Sequence, residues 1–163
     1  MSSLERELPM TDESWMKVAL EEAHCAREEG EVPIGAVAVL EGRLLARDHN
    51  RSIQSCDPTA HAEMLVLRAA GAGLSNYRLA GLELYVTLEP CAMCAGALIW
   101  GRVSRLVYGA PDAKAGAVVS RVDLLQPGLF NHSVSITAGV LEPECRRILQ
   151  EFFAERRRPR AET

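Results

Sequence analysis

The residues of this chain best suited to chemistry lie in two short stretches. His61-Ala62-Glu63 sits in the first half, and Pro90-Cys91-Ala92-Met93-Cys94 begins 27 residues after Glu63. One imidazole and two thiols are donors of the kind zinc takes. Three protein ligands leave a fourth tetrahedral position open for water, which marks a catalytic rather than a structural site. Cys91 and Cys94 are three apart, so on a helix they share a face. Pro90 places them at the helix start, where unpaired N–H groups and the helix dipole favour thiolate over thiol. His61 and Glu63 are two apart and would diverge on a regular helix, so Glu63 is expected across the site from the metal and not as a ligand. A carboxylate there can take a proton from a water whose pKa falls to roughly 7 on zinc. General acid–base help of this kind is worth on the order of 10²–10⁴ in rate. A structural zinc knot would need a fourth ligand. His24, His49 and His132 are candidates by type, and none is expected to have a ligand-like neighbour.

Two helix starts must bring these distant ligands together. Asp57-Pro58 reads as one start, a cap followed by proline at the first helical position, with His61 in the first or second turn. That helix carries Met64, Leu65, Leu67 and Arg68 and stops near Gly71 and Gly73. Glu89-Pro90 starts the other, which runs through Trp100 to Gly101. The strand Leu82 to Leu88 supplies the return path between them. Before these lies a helix capped by Thr11 or Asp12 and running to about Glu29, with Trp15, Met16, Ala19, Leu20, Ala23 and Ala26 on one stripe. A hairpin follows: Ile34 to Leu40, a Glu41-Gly42 turn, then Leu44 to Arg47. Val103 to Tyr108 and Val134 to Ile136 read as the fourth and fifth strands, separated by a looser segment over 109–132. Glu142 to Arg157 closes the chain as a helix with Ile148, Leu149, Phe152 and Phe153 inward. Strand and helix alternate through the second half, which is a crossover pattern. The expected fold is α/β, three layers, with a mixed five-stranded sheet and helices on both faces.

A length of 163 residues predicts a single domain, with a core over about 12–157 and polar tails. No apolar run approaches the roughly 18 residues of a membrane span. The polar, acidic start MSSLERELPMTDES has no signal core, so a cytoplasmic protein is expected. Five cysteines at scattered spacing argue against a disulfide framework. Cys25, Cys56 and Cys145 are expected to be small hydrophobes. The net charge of −4 hides an asymmetry, because Arg146 to Arg160 holds six arginines against Glu151 and Glu155. Such a stretch can hold phosphates or simply form a solvated helix face.

The H-x-E…P-C-x-x-C pattern is the known signature of zinc-dependent nucleobase deaminases. Alone it admits deaminases of cytosine, deoxycytidylate, guanine and pterin-like rings. The flanks are more specific. EVPIGAV (31–37), Asn50-Arg51, DPTAHAE (57–63), NYRL (76–79), LYVTLEPCAMCAGALIWGRV (84–103), YGAPDAKAGA (108–117) and Asn131-His132 together resemble the bacterial tRNA-specific adenosine deaminases of the cytidine deaminase-like superfamily. The resemblance runs from Trp15 to about Arg157. It implies that adenosine is hydrolysed to inosine, with loss of ammonia, at the wobble position of a tRNA anticodon loop. His61, Cys91 and Cys94 would hold one zinc ion, and Glu63 would protonate the ring nitrogen and help ammonia leave. The Ala62 N–H and Asn50 would hold the base, and Ile34 would wall the pocket. Asp112, Arg78, Lys114, Asn131 and Phe153 match RNA-facing positions. The family's homodimer would place the Cys91 helix, with Leu98, Ile99 and Trp100, near the interface. One departure is Pro111, where some relatives carry arginine; it removes a charge and a donor near the RNA entrance. Two other readings differ in class: a free-base or nucleotide deaminase, and an inactive RNA-binding subunit. The presence of Glu63 speaks against the second.

Overall fold

The computed structural model of the chain describes residues 9–159. Most of the acidic start and Arg160 lie outside the described residues. Helix α1 spans Asp12–Glu28 and begins where Thr11 accepts the Ser14 N–H on its side-chain oxygen. It buries Trp15, Met16, Ala19, Ala23 and Ala26, while Leu20 is only half-buried. Strands β1 (Gly35–Leu40) and β2 (Arg43–His49) form the hairpin. Glu41 and Gly42 both take positive φ, 51° and 74°, as a two-residue turn matched to strand twist requires. Strand β2 runs to His49, past the expected end, because its polar last residues still pair with β1.

Helix α2 spans Ala62–Leu74 and strand β3 Glu83–Leu88. Helix α3 (Ala92–Trp100), strand β4 (Arg105–Ala110), strand β5 (Ser135–Ala138) and helix α4 (Glu142–Arg157) follow. The five-stranded sheet has the order β2-β1-β3-β4-β5. The pairs β1–β2 and β1–β3 are antiparallel, and β3–β4 and β4–β5 are parallel. The mixed sheet and the crossovers are therefore as expected.

Alternation along the strands divides the core. Ala36, Ala38, Leu84, Val86, Leu106 and Tyr108 face α2 and α3, where they meet Val66, Leu67, Leu98 and Ile99. Val37, Val39, Tyr85 and Val107 face the other way, against Trp15, Met16 and Ala19 of α1 and Cys145 of α4. Gly35 lets α1 lie directly on the sheet: a Cβ there would stand 1.9 Å from the Ala19 carbonyl oxygen.

Several expectations need correction. Helix α2 starts at Ala62 and not at Asp57-Pro58. The Asp57 carboxylate instead caps a local turn, accepting from the Thr59 N–H (2.8 Å) and hydroxyl (2.7 Å). Phe153 points outward at 41% exposure, because the buried stripe of α4 is Cys145, Ile148 and Phe152. Cys25 and Cys56 are exposed, and only Cys145 of the scattered cysteines is buried.

Candidate metal and proton-transfer centre

Both helices that carry the candidate ligands begin at one of them. His61 is the N-cap of α2 and Cys91 the N-cap of α3, each with extended backbone and no side-chain capping bond. His61 thus sits just ahead of its helix instead of within its first turns. Cys94 lies in the first turn of α3, on the same face as Cys91. Since β3 and β4 are parallel neighbours and α2 and α3 cover the same sheet face, the two helix starts meet at one end of that face.

The His61 Nδ1 lies 3.5 Å from the Cys91 Sγ and 3.6 Å from the Cys94 Sγ. With zinc–sulfur bonds of about 2.3 Å and a zinc–nitrogen bond of about 2.0–2.1 Å, a tetrahedral ion would separate nitrogen and sulfur by about 3.6 Å. The donor set therefore fits zinc in both chemistry and spacing. These three residues form a ligand-like group that does not include Glu63.

Glu63 is buried in the first turn of α2, with its Oε2 3.2 Å from the Cys94 Sγ. Burial pushes its carboxyl above the usual carboxylate range, against the lowering effect of its own backbone amide and the Cys94 thiol. A hydrogen bond from Cys94 and one from His61 draw Cys91 down to about 4, against the opposing effect of burial. The Cys91 thiolate, burial and the Glu63 carboxylate push Cys94 up. His61 is raised, first by its bond to Cys91.

The base-facing candidates sit beside this centre. The buried Asn50 accepts the Ala62 N–H on Oδ1 at 2.8 Å. The Ala62 N–H, expected to help hold the base, is thus bonded to Asn50 in this structure. The Asn50 Nδ2 donates to nothing among the described residues. Ile34 is partly buried against the α2–α3 side of the core, and its carbonyl takes the Asn50 N–H.

The RNA-facing candidates are spread more widely. Asp112 accepts from the Lys114 and Ala115 N–H groups, leaving the Lys114 side chain exposed. Pro111 is exposed beside them. Arg78 is exposed and lies 5.7 Å from the centre of the Tyr77 ring. Asn131 accepts from Arg102 and borders a cavity of about 230 Å³ with Ile99, Trp100 and Phe130. Phe153 packs edge-on against Phe152 on α4, which covers the sheet face opposite α2 and α3. The structure does not bring Phe153 together with the ligands.

Three side chains escaped the sequence reading. Glu31 is buried and takes the Ile53 and Gln54 N–H groups, tying the 51–56 loop down. Glu89 is buried and does the same for residues 112–120. Burial raises its carboxyl, but the Ser120 hydroxyl and the amides of 118–120 more than offset this and hold it below the usual range. Its position directly before the P-C-x-x-C stretch was the one available signal. His49, expected to lack ligand-like neighbours, has Glu22 at 2.7 Å on Nδ1 and Glu29 at 2.8 Å on Nε2. Arg47 and Arg51 neutralise the carboxylates around it, so this is an ion-pair network between α1 and β2.

The family model of MafB19-like deaminases matches residues 10–157. A tRNA-specific adenosine deaminase of Bacillus subtilis (strain 168) is 50% identical over 147 residues, covering 90% of this chain and 91% of that protein. The chain belongs to the tRNA-specific adenosine deaminase family. A second family member, from Agrobacterium fabrum, is 49% identical over 143 residues, covering 88% of this chain and 94% of its own length. The family fold is matched by a solved structure from work on A-to-I editing by tRNA:A34 deaminases. It is 49% identical, has a TM-score of 0.80, and covers 83% of this chain and 98% of that one. A guanine deaminase from Nitrosomonas europaea is more distant, at 30% identity and a TM-score of 0.75, covering 88% of this chain and 85% of that one.

Proposed function

We propose that this chain hydrolyses adenosine to inosine at the wobble position of a tRNA anticodon, releasing ammonia. The observation that carries this is a buried carboxyl, Glu63, beside a His/Cys/Cys group whose spacing fits zinc. One zinc ion per chain would be held by His61, Cys91 and Cys94. When bound, it lowers the pKa of a coordinated water to roughly 7 and so supplies a nucleophile at neutral pH.

The protein's own groups do the rest. Glu63 takes the proton of the attacking water and delivers it to the ring nitrogen next to the carbon under attack. A positioned carboxyl moving a proton in this way typically contributes about 10²–10⁴ in rate. The same carboxyl then moves the second proton to the departing amino group, so that water and adenosine become inosine and ammonia. Asn50 uses Oδ1 to fix the start of α2 and presents Nδ2 to the base, so Ala62 acts through Asn50. Ile34 forms the apolar wall. Asp112, Lys114, Arg78 and Asn131 face the RNA. Phe153, exposed on α4, is free to stack on a base, a contact worth about 1–3 kcal/mol.

The chain acts as a single cytoplasmic domain over 1–163 and as a homodimer. Of the three expected interface residues, Leu98 and Ile99 are buried in the core and only Trp100 is open, at 82% exposure, so Trp100 is the one left for a partner. No helix among the described residues is long and apolar enough to cross a membrane.

Incubation of the metal-loaded protein with synthetic anticodon stem-loops tests the reading. Inosine at the wobble position is expected, and its loss on chelation. No inosine from any wobble-adenosine stem-loop would overturn the proposal. Ammonia from free guanine instead would favour the chemistry of the more distant relative.

A further inference from the structure

Glu89 follows directly on β3, two residues before Cys91, and is buried, yet among the described residues it makes no ion pair. Four of its five partners are backbone N–H donors. Oε2 accepts the N–H groups of Val118, Val119 and Ser120 at 3.2, 3.1 and 3.1 Å. Oε1 accepts the Ser120 hydroxyl at 2.5 Å and the Asp112 N–H at 3.3 Å. Successive amides converging on one oxygen form an anion-binding nest, here filled from within the chain. The fit is tight: a Cβ on Gly116 would stand 2.2 Å from Oε2. The wrap is completed by the Ala117 N–H on the Pro90 carbonyl and the Glu89 N–H on the Ala110 carbonyl, both at 2.8 Å. Residues 110–120 are therefore folded around the dipeptide that leads into Cys91.

We propose that Glu89 is a positioning residue. It holds the segment carrying Asp112 and Lys114 in fixed relation to the start of α3, and so sets the RNA against the reacting centre without touching it. This rests on the proposed function, through the RNA-facing role of Asp112 and Lys114. An acceptor-only group is required, because all five partners are donors. A glutamine would turn its NH₂ group toward some of them.

The test is Glu89→Gln in the full-length, zinc-loaded protein, assayed on an anticodon stem-loop. KM is expected to rise about tenfold or more, the worth of a hydrogen bond to a charged group. Meanwhile kcat should stay within about threefold and zinc content should not change. Amide hydrogen exchange at residues 118–120 should quicken while that of α3 holds. Ser120→Ala, at an exposed position that keeps the carboxylate, should raise KM about two- to tenfold in the same sense. It decides the matter should the glutamine variant not fold. Unchanged KM in the variants overturns the proposal, as does a loss confined to kcat and accompanied by zinc release, which would make Glu89 a support for Cys91. Wild-type protein making no inosine would instead bring down the functional reading, and this proposal with it.

Discussion

Replacing Asn50 in two ways separates its two roles. Asn50→Ala removes the acceptor that holds the Ala62 N–H at 2.8 Å, in a position where both residues are buried. A buried donor left without a partner costs about 1–3 kcal/mol. For a chain of this size each kcal/mol moves Tm by roughly 2–4 °C, so Asn50→Ala should melt about 2–12 °C below wild type. Asn50→Asp keeps an oxygen in the same place, at a helix start that favours negative charge, and should melt close to wild type. It lacks the Nδ2 donor that we assign to the base. Removing one positioned donor typically lowers turnover by about 10²–10³, and kcat/KM on a stem-loop should fall by that order. Differential scanning fluorimetry and inosine formation read the two effects on the same preparations. A stable Asn50→Asp protein with wild-type kcat/KM would show that the amide plays no part with substrate. A wild-type Tm for Asn50→Ala would show that the Ala62 bond contributes nothing.

Three further outcomes are expected. Glu63→Gln should keep one zinc per chain by metal analysis and lose about 10²–10⁴ in kcat, and turnover near wild type would remove Glu63 from the proton path. Gly35→Ala should lower stability in denaturant titration by about 1–3 kcal/mol or more, since its new methyl would meet the Ala19 carbonyl and the Ala23 amide nitrogen. Asp12 is held below its ordinary pKa chiefly by hydrogen bonds from Arg105, so the stability it adds is present above its unfolded pKa of about 3.9 and is lost as pH falls through the lower folded value. The gap in Tm between wild type and Asp12→Asn should accordingly be full at pH 6 and close below about pH 4; a gap that widened in acid would contradict this.

Much of the frame could be read before the structure, for local reasons. Helix α4 runs from Glu142 to Arg157 as expected, with Ile148 and Phe152 of its expected apolar stripe buried. The Glu41-Gly42 turn follows from the two residues in it. The His61, Cys91 and Cys94 donor group was legible because a zinc site would demand particular donors at particular spacing, and the structure brings the three together. What escaped depends on contacts distant in the chain. Asp57-Pro58 has a helix-start composition, but Thr59 takes up the Asp57 carboxylate and the helix waits for Ala62. Glu31 and Glu89 look like ordinary acidic residues until loops 22 and 29 positions later lay their amides on them. Phe153 and Phe152 are adjacent, and only the roll of α4 on the sheet decides which is buried.

The missing side-chain caps at His61 and Cys91 bear on how the molecule assembles. A helix usually sets its own first residue, through a serine, threonine or acid at its cap. In α2 that position belongs to His61, a candidate ligand, and the bond that closes the helix comes from Asn50, at the far end of the hairpin. The Glu63 turn thus has little means of settling its phase until the hairpin has docked. Hydrogen exchange should show it: the Ala62 amide is expected to share its protection with the β1–β2 ladder and not with the rest of α2. Folding order and catalytic geometry would then be one event, because the residue whose N–H ties the end of the hairpin to Ile34 also starts the helix.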